Sequence, residues 1–528
     1  MCAIMEQFAD KVKGTFSFFD RMIIDGYIRP LALEYSRAHS LCQLHVRYKD
    51  YTSFFMSVTE QIKERIEGTA RMQGRPVLYL SSSRGKKEDI AKNFLKENPV
   101  ESGLICVLKT LEVCRSAKVC GSDSGKLTLK TYETKCLHYY LYYLDKEYGF
   151  MFIRIQTWFP FHVRVYINGR EWMKSVFEEN SVAYQCYDNS FTDISNVEKA
   201  QELANSFDSA KLRRHLDGMV SALNPFLDTV TKTFGQGYYW SVSQCEYATD
   251  IMFRDRESLE DIYPSLVEHA FHGLNCADIF TFMGRKLCPQ FQGEAVSDYK
   301  KRPVGCRVKF RCNSNSVKTY DKHSVLRVET TINNPRDFKI FGTVHHKDGS
   351  ESKAWKPMGK SISNLYRYAE ISKSCNVRFL NALTDIVPTK SVIREIEEVC
   401  VGKTVSGRRV TGFNVWSPDF VHVMEIISAG KHSVKGFQNA DISALLFPDM
   451  QDSKKRSAGT TRLIKKLRCH GLIQKVPRAG RYFVSRKGRR IMGALIELRN
   501  KDYPRLVAKA SRLPRSGSSI SVPLRPIF

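Results

Sequence analysis

The chain has 528 residues, 42% of them hydrophobic and 11% aromatic, with a formal net charge of +27 from 82 Lys and Arg against 55 Asp and Glu. This length excludes a single small domain, and this apolar content excludes a largely disordered chain. The positive charge favours a polyanionic partner, most commonly nucleic acid, over a basic protein without such a partner.

Targeting and metal signals are absent from the sequence. The first residues, "MCAIMEQFADKVKG", include early acids and no apolar segment, and no long apolar stretch predicts a membrane span. The fifteen cysteines are scattered without a C-x-x-C pair, so we predict neither a structural zinc site nor a disulfide framework. We expect a cytoplasmic protein with reduced thiols and no membrane contact.

The N-terminal region, residues 1–130, is predicted to be α/β. Residues 1 to about 70 are predicted to be helical, as in "DYTSFFMSVTEQIKERIEG". A strand ("RPVLYLSSS"), a helix ("KKEDIAKNFLKEN") and a second strand ("GLICVLKTLEVC") follow.

The central region, residues 131–394, is predicted to be a β-rich α+β domain with a mixed or antiparallel sheet. "CLHYYLYYLD", "GFMFIRIQTWFPFHVRVYING" and "YYWSVSQCEYATDIMF" have strand character, and a long helix ends before Pro388. The aromatic residues of these strands could stack on bases, but we favour a structural core, with polar residues at its edge.

A basic meander lies within this region. "CRVKFRC", "SVKTYDK" and "VLRVETTINNP" alternate in polarity and are joined by short polar turns. The register that keeps the apolar faces together predicts a cross-strand row Arg311–Lys318–Arg327, with Glu329 diagonal to Lys318. The row could bind a phosphate backbone, which we favour, or belong to an internal salt network with Glu329, Glu294 and Asp298. The predicted nucleic-acid contacts on these strands are Lys300, Arg307, Lys309, Arg311, Lys318, Lys322 and Arg327.

The same segment offers candidate catalytic residues. Glu294, Asp298, Asp321 and Glu329 could bind Mg²⁺ or Mn²⁺ in a nuclease if they converge, and if they point apart that interpretation is dropped. Tyr320 could act as a nucleophile for strand transfer. "VKTYDKHSVLRVE" resembles the Y-D-K…L-R-x-E strand pair of phage and plasmid rolling-circle replication initiators, although the His-hydrophobe-His metal motif of those enzymes is absent from this sequence.

Residues 395–416, rich in Gly, Ser and basic residues, are predicted to be a linker, and residues 501–528 a disordered basic tail. Between them, residues 417–500 predict a winged helix-turn-helix: helices in "SPDFVHVMEIISAG", "KGFQNADISALLFP" and "SAGTTRLIKKLRCHG", two strands in "LIQKVPRAGRYFVS", and a helix in "KGRRIMGALIELRN". The phrase "LRCHGLIQKVPRAGRYFVSRKGRRIM" resembles winged helices of the MarR kind.

The charge of this segment favours DNA or RNA over a protein partner. Residues 441–490 contain 14 Lys and Arg against three Asp and Glu. The third helix would present its first residues to base edges, and the wing would reach phosphates or a minor groove. The predicted contacts are Thr460, Thr461, Arg462, Lys465 and Lys466 on the helix, and Lys475, Arg478 and Arg481 on the wing.

Several phrases, among them "GLICVL", "NGREW", "CEYATDIMFRD" and "LRVETTINNP", resemble a widespread bacterial family of similar length. The resemblance covers most of the chain and implies no activity, because that family is uncharacterised. We therefore expect a multidomain α+β DNA-binding protein of regulatory or mobile-element type. A metal-dependent nuclease or initiator-like or transposase-like strand transferase, and an RNA-binding protein, are the alternatives. Whether the protein is an enzyme, and whether it forms a homodimer, stay open.

Overall fold

The computed structural model describes residues 3–81, 85–121, 126–272, 274, 276–285, 293–302, 305–346, 348–384, 389–405, 407–428, 432, 436–476 and 480–497. The described residues form two compact units. The sheet unit comprises those of Met1–Val267, Ile279–Leu287 and Phe291–Thr384, and the C-terminal unit those of Glu268–Asp278, Cys288–Gln290 and Asp385–Phe528. Arg478 and residues 501–528 lie outside the described part of the chain.

The strands are β1 Val12–Tyr27, β2 Val77–Tyr79, β3 Gly103–Gly121, β4 Leu127–Asp145, β5 Gly149–Gln156, β6 Val163–Asn168, β7 Tyr184–Tyr187, β8 Ser190–Ile194, β9 Tyr239–Phe253, β10 Ala295–Arg302, β11 Gly305–Cys312, β12 Asn315–Lys322, β13 Val325–Ile332, β14 Lys339–His345, β15 Glu351–Pro357, β16 Lys403–Val405, β17 Arg408–Val410, β18 Ile473–Lys475 and β19 Tyr482–Val484.

The helices are α1 Ala3–Gln7, α2 Arg29–Ala32, α3 Arg37–Gln43, α4 Tyr51–Met72, α5 Lys87–Glu97, α6 Gly169–Glu179, α7 Val197–Asn205, α8 Ser209–Leu223, α9 Phe226–Phe234, α10 Arg256–Glu260, α11 Tyr263–His272, α12 Cys276–Phe282, α13 Leu365–Leu383, α14 Thr389–Cys400, α15 Pro418–Ser428, α16 Asn439–Leu446, α17 Ser453–Cys469 and α18 Arg486–Glu497. Short 3₁₀ turns occupy Tyr48–Asp50, Pro335–Asp337 and Ile362–Asn364.

An eleven-stranded sheet with the order β10-β11-β12-β13-β9-β1-β6-β5-β4-β3-β2 is the core of the sheet unit. Its pairs are antiparallel except β2 with β3, which run parallel. The mixed, largely antiparallel α+β fold expected for the central region is therefore confirmed, but the sheet also recruits β1, β2 and β3 from the N-terminal region. The domain boundary predicted between residues 130 and 131 falls inside β4.

The prediction of helix for residues 1–70 is wrong for Val12–Tyr27 and confirmed for Tyr51–Met72. The segment "VKGTFSFFDRMIIDGY" has buried residues on both faces, because β1 lies between β9 and β6 near the middle of the sheet. A strand buried on both faces loses the simple alternation of apolar and polar residues, so its periodicity does not separate it from a buried helix.

Helices and a hairpin cover both faces of the sheet. Helix α13 packs against β9 and β13, where Asn376 accepts a hydrogen bond from Thr330 and donates to the carbonyl of Tyr247. On the opposite face, Phe177 of α6 and Phe191 of β8 pack on Phe16. The β7–β8 hairpin therefore lies over the β1, β9 and β13 strands at the place where the candidate site forms.

In the described part of the C-terminal unit, α14 and the β16–β17 pair precede helices α15, α16 and α17, and the β18–β19 hairpin and α18 follow them. Its core includes Phe420, Ile442, Leu467 and Ile491. The region predicted as a linker holds the end of α14 and the β16–β17 pair, so the boundary at 394/395 falls inside a helix. Within the described ranges, no helix has the length and apolar character needed to cross a membrane.

Candidate functional site

The register of the basic meander differs from the predicted one. Lys318 faces Lys309 on one side and Glu329 on the other, and Arg311 faces Ser316. The prediction of a cross-strand row Arg311–Lys318–Arg327 is therefore wrong. The two-residue turns lie at 313–314 and 323–324, where Asn313 and His323 have φ of 54° and 53°. Residues with positive φ suit the tight turns that match strand twist, and they set the register of both hairpins.

The acids near these strands pair with the cations. The Arg311 guanidinium contacts Glu294 at 2.9 Å, Arg307 contacts Asp298 at 2.8 Å, and Lys318 contacts Glu329 at 2.6 Å. These are the acids named in the alternative interpretation, an internal salt network. The exposed phosphate-binding row that we favoured from the sequence is not what the strands present.

Arg327 is the centre of a buried charged cluster. Its side chain is fully buried, with guanidinium nitrogens 3.0 Å from Asp20, 3.0 Å from Asp250 and 3.6 Å from Glu329. It also donates to the carbonyl of Asn189 at 2.6 Å. An arginine without solvent contact cannot reach a nucleic-acid phosphate, so its prediction as a surface contact is corrected to a buried ion-pair partner.

Three carboxylates converge beside Arg327. Asp20, Glu246 and Glu329, all buried, each offer one oxygen within 4.8 Å of the others. Asp20 is the extra residue at a register shift between Phe19 and Arg21, which is a β-bulge. A bulge turns a side chain out of the regular alternation and is frequent next to functional sites. Here it brings the carboxylate of Asp20 to those of β9 and β13. We call Asp20, Glu246 and Glu329 the acid triad.

The triad has the donor set that a hard divalent cation prefers, because all three ligands are carboxylate oxygens. Three cations of the protein already neutralise it. Arg327 lies 3.0 Å from Asp20, Arg21 donates to both oxygens of Glu246 at 2.5 and 2.7 Å, and the Lys318 ammonium lies 2.6 Å from Glu329. The triad could hold a metal ion, which would compete with these three side chains.

The cluster shifts the pKa values of its acids in opposite directions. Burial, together with the neighbouring Glu329 carboxylate, raises the pKa of Glu246 to about 7. Burial also tends to raise the pKa of Glu329, but Lys318, a hydrogen bond shared with Glu246, and Arg327 outweigh it and lower that pKa. Burial raises the pKa of Asp250 to about 6 in spite of Arg327. Acids with divergent pKa values in one site are typical of acid–base pairs and of proton-sharing networks.

The tip of the β7–β8 hairpin covers the cluster. Asn189 donates a hydrogen bond to the Tyr320 hydroxyl at 2.9 Å, and that hydroxyl donates to Glu329 at 2.9 Å. The Phe191 N–H donates to Asp250 at 3.0 Å. Burial raises the pKa of Tyr320, so the phenol stays protonated and a hydrogen-bond donor. Arg21 and Lys318, both partly exposed, give the cluster its contact with solvent.

Only two of the five predicted catalytic residues meet. Tyr320 and Glu329 belong to the cluster, whereas Glu294 and Asp298 pair with Arg311 and Arg307. Asp321 lies on the other face of β12. Among the described residues, the acid triad that could hold a metal ion contains none of Glu294, Asp298 and Asp321. The four-acid nuclease site is therefore dropped.

The remaining predicted contacts are spread over two surfaces. On the sheet, Lys300 is exposed near Asp298, Lys309 is half-buried opposite Lys318, and Lys322 pairs with Asp188. In the C-terminal unit Thr460 is buried and donates to the carbonyl of Arg456. Four other predicted contacts of this unit are exposed: Thr461, Arg462, Lys465 and Lys475. Lys466 is half-buried, with its ammonium 4.2 Å from the Phe413 ring centroid. Arg481 lies 3.8 Å from Asp441.

Sequence reasoning missed Asp20, Arg21 and Asn189 and assigned Glu246 and Asp250 to the edge of an aromatic core. The acids did leave a signal, since "FFDRMII" and "CEYATDIMF" place charged residues inside strongly apolar strands. A charge in such a strand requires a buried partner. The sequence does not show that the two segments are neighbours. Comparisons with protein-family models, curated proteins and solved structures find no match for this chain.

Proposed function

We propose that the protein binds duplex DNA through its C-terminal unit and that this unit is a winged helix-turn-helix. The observation that carries the proposal is the unpaired basic surface of α17. Within the described residues no carboxylate lies within 4.0 Å of Lys454, Arg462, Lys465 or Arg468. A helix with exposed, uncompensated cations favours a polyanionic partner.

The order of elements supports the winged-helix assignment. Phe437, just before α16, pairs with Tyr482 of β19, which adds a third short segment to the hairpin. Helix α17 begins at the N-cap Asp452, which accepts from the backbone N–H of Lys454 and Lys455, and is followed by Gly471 at φ 74°. Helix, left-handed glycine and hairpin in this order are the arrangement in which such proteins place a recognition helix beside a wing.

The face of α17 beside α16 is the proposed contact surface. Asn439 of α16 donates to the Thr461 hydroxyl at 2.8 Å and fixes its position. A shallow, open depression follows this face, lined by Ser453, Lys454, Ser457, Ala458, Thr461 and Arg462. Small hydroxyl residues between cations suit both phosphate and base-edge contacts. Thr460 is left out of this surface because it is buried. The β10–β13 face is left out because most of its predicted contacts pair with acids, among them Arg307, Arg311, Lys318 and Arg327.

The test is fluorescence anisotropy with labelled duplex DNA and duplex RNA over a range of salt concentrations. The double variant Arg462→Ala/Lys465→Ala should lower the slope of log affinity against log salt by about 1.8, because each phosphate contact contributes about 0.9. The matched control is Arg65→Ala/Arg71→Ala, which removes the same charge from exposed positions of α4. Equal losses in both double variants would contradict the proposal, and preference for duplex RNA would reassign the partner.

A second candidate function, metal-dependent cleavage of phosphodiesters, is favoured by the acid triad. Besides the convergence of three buried carboxylates, the Arg327 Nε and Nη2 and the Glu329 Oε1 lack partners in hydrogen-bonding geometry, although ion-pair partners are near. These three atoms therefore retain hydrogen-bonding capacity for a further ligand beside the triad. In this function Arg21 and Lys318 would neutralise the phosphate beside the triad.

Cleavage is tested with labelled single- and double-stranded DNA and RNA, with and without Mg²⁺ or Mn²⁺. Activity should require the metal and be lost in Glu329→Gln and Glu246→Gln but kept in Glu294→Gln, since Glu294 is an exposed acid outside the triad. Calorimetry of Mn²⁺ binding gives an independent readout. Metal-independent binding without cleavage would remove this candidate and leave the first untouched.

A further inference from the structure

A separate two-stranded hairpin of the sheet unit exposes two aromatic rings. Strands β14 and β15 pair only with each other among the described strands, and Phe341 lies directly opposite Trp355. Phe341 is 51% exposed and Trp355 67% exposed. Their ring centroids are 5.8 Å apart at an interplanar angle of 63°. An edge-to-face pair of this kind leaves one broad ring surface open to solvent.

The hairpin is fixed at its base. The Met358 N–H donates to the carbonyl of Phe338 at 2.9 Å, and both side chains are buried. Only one pair of facing residues, Ile340 with Lys356, separates the aromatic pair from the last pair at the base, Lys339 with Pro357. The rings are therefore held in place on a short, anchored ribbon, which lowers the entropy lost when a ligand stacks on them.

Two lysines flank the rings on the same face. Lys339 precedes Phe341 by two residues, and Lys353 precedes Trp355 by two, so all four side chains point to one side of the ribbon. Within the described residues neither ammonium has a carboxylate within 4.0 Å. The lysine positions lie about 13 Å apart along the ribbon, from four residues of strand rise. Stacking surfaces between unpaired cations are the elements with which proteins bind single-stranded nucleic acid.

We propose that the face formed by Lys339, Phe341, Lys353 and Trp355 binds single-stranded nucleic acid, with a base stacked on the exposed indole and the lysines on neighbouring phosphates. A protein partner fits less well. Two aromatic side chains bury about 150–250 Å² each, whereas a stable interface needs about 800 Å² per partner. The flanking positive charges and the net charge of +27 favour a polyanion over a second copy of this chain. This site is distinct in place and ligand from the duplex-binding surface proposed on α17.

The test uses the full chain and fluorescein-labelled oligothymidylate, which has no secondary structure. Trp355→Ala should weaken binding about ten-fold, the effect of removing one stacked base, and Trp355→Phe should restore most of it. Lys339→Ala/Lys353→Ala should flatten the salt dependence. The matched control is Tyr366→Ala, because Tyr366 is a similarly exposed (55%) aromatic residue of the same unit outside the hairpin.

The outcomes separate the two proposals. Arg462→Ala/Lys465→Ala should lose duplex affinity and keep oligothymidylate affinity if Trp355 carries the single-strand site, and Trp355→Ala should do the reverse. Native affinity in Trp355→Ala, or no oligothymidylate binding by the native chain, overturns the inference. So does a Trp355→Ala variant that changes only self-association in ultracentrifugation. Because both rings are exposed, an unchanged melting temperature verifies that each variant is folded.

Discussion

Replacing Arg327 with Met should lower the free energy of unfolding far more at neutral pH than at mildly acidic pH. Met keeps much of the side-chain volume but removes the charge that faces Asp20, Asp250 and Glu329. Breaking a buried ion pair by removing one partner costs about 3–5 kcal/mol, because the remaining charges stay desolvated and unpaired. With the carboxylates so close together, we expect the cost at neutral pH to reach the upper part of that range.

The pH dependence follows from the direction of the shift at Asp250. Its pKa is raised to about 6 even with Arg327 present, and without the guanidinium it rises further. A carboxyl whose folded pKa lies above its unfolded value destabilises the fold as pH rises between the two values. The loss caused by Arg327→Met should therefore shrink as pH falls toward about 5, where the acid is protonated in the folded state.

Urea unfolding at the two pH values measures the effect. The matched control is Arg367→Met, because Arg367 forms an exposed pair with Glu370 at 2.9 Å that should be worth less than about 1 kcal/mol. Arg327→Met/Asp250→Asn should recover part of the loss, since it removes one unpaired acid. A cost for Arg327→Met no larger than that of Arg367→Met, or one that does not vary with pH, would refute the assignment of a buried charged cluster.

Three further predictions concern other parts of the structure. Glu246→Gln should flatten the dependence of stability on pH between about 4.5 and 7, because the raised pKa of Glu246 makes its ionisation destabilising in that range. Urea unfolding at a series of pH values measures this dependence. Asn189→Ala should raise further the pKa at which the pH-difference ultraviolet spectrum reports Tyr320, because the Asn189 amide donates to the phenol oxygen and so stabilises the phenolate. Gly488→Ala should destabilise the C-terminal unit by several kcal/mol, since an added Cβ would lie 2.1 Å from the carbonyl oxygen of Leu472, whereas Gly493→Ala, with open space around it, should leave the melting temperature unchanged or raise it.

Local signals predicted the helices of the C-terminal unit well. Helix α15 begins at Pro418, as the Ser-Pro pair indicated, and α16 ends before Pro448. Helix α17 begins at Ser453, four residues earlier than predicted, because Asp452 supplies the N-cap. Such caps and breakers act within a few residues, so the sequence displays them directly.

The candidate site could not be predicted in the same way. The acid triad joins Asp20 to Glu246 and Glu329, residues more than two hundred positions apart, and no local pattern shows that β1 pairs with β9. The predicted register of the basic meander was wrong for a local reason. Asn313 and His323, at positive φ, put the tight turns at 313–314 and 323–324, and turns at these places give Lys318 other partners than those of the predicted row.

The pairing of β1 with β9 also bears on how the chain is made. At about 5–20 residues per second, the stretch of about 210 residues between Tyr27 and Tyr239 takes roughly 10–40 s to synthesise. During that time the apolar strand β1 can already pair with β6 on one edge. Its other edge stays unpaired, because β9 has not yet been synthesised. Unpaired strand edges are sites of misassembly. The nascent chain should therefore depend on chaperone binding near its N-terminus until residue 253 has left the ribosome.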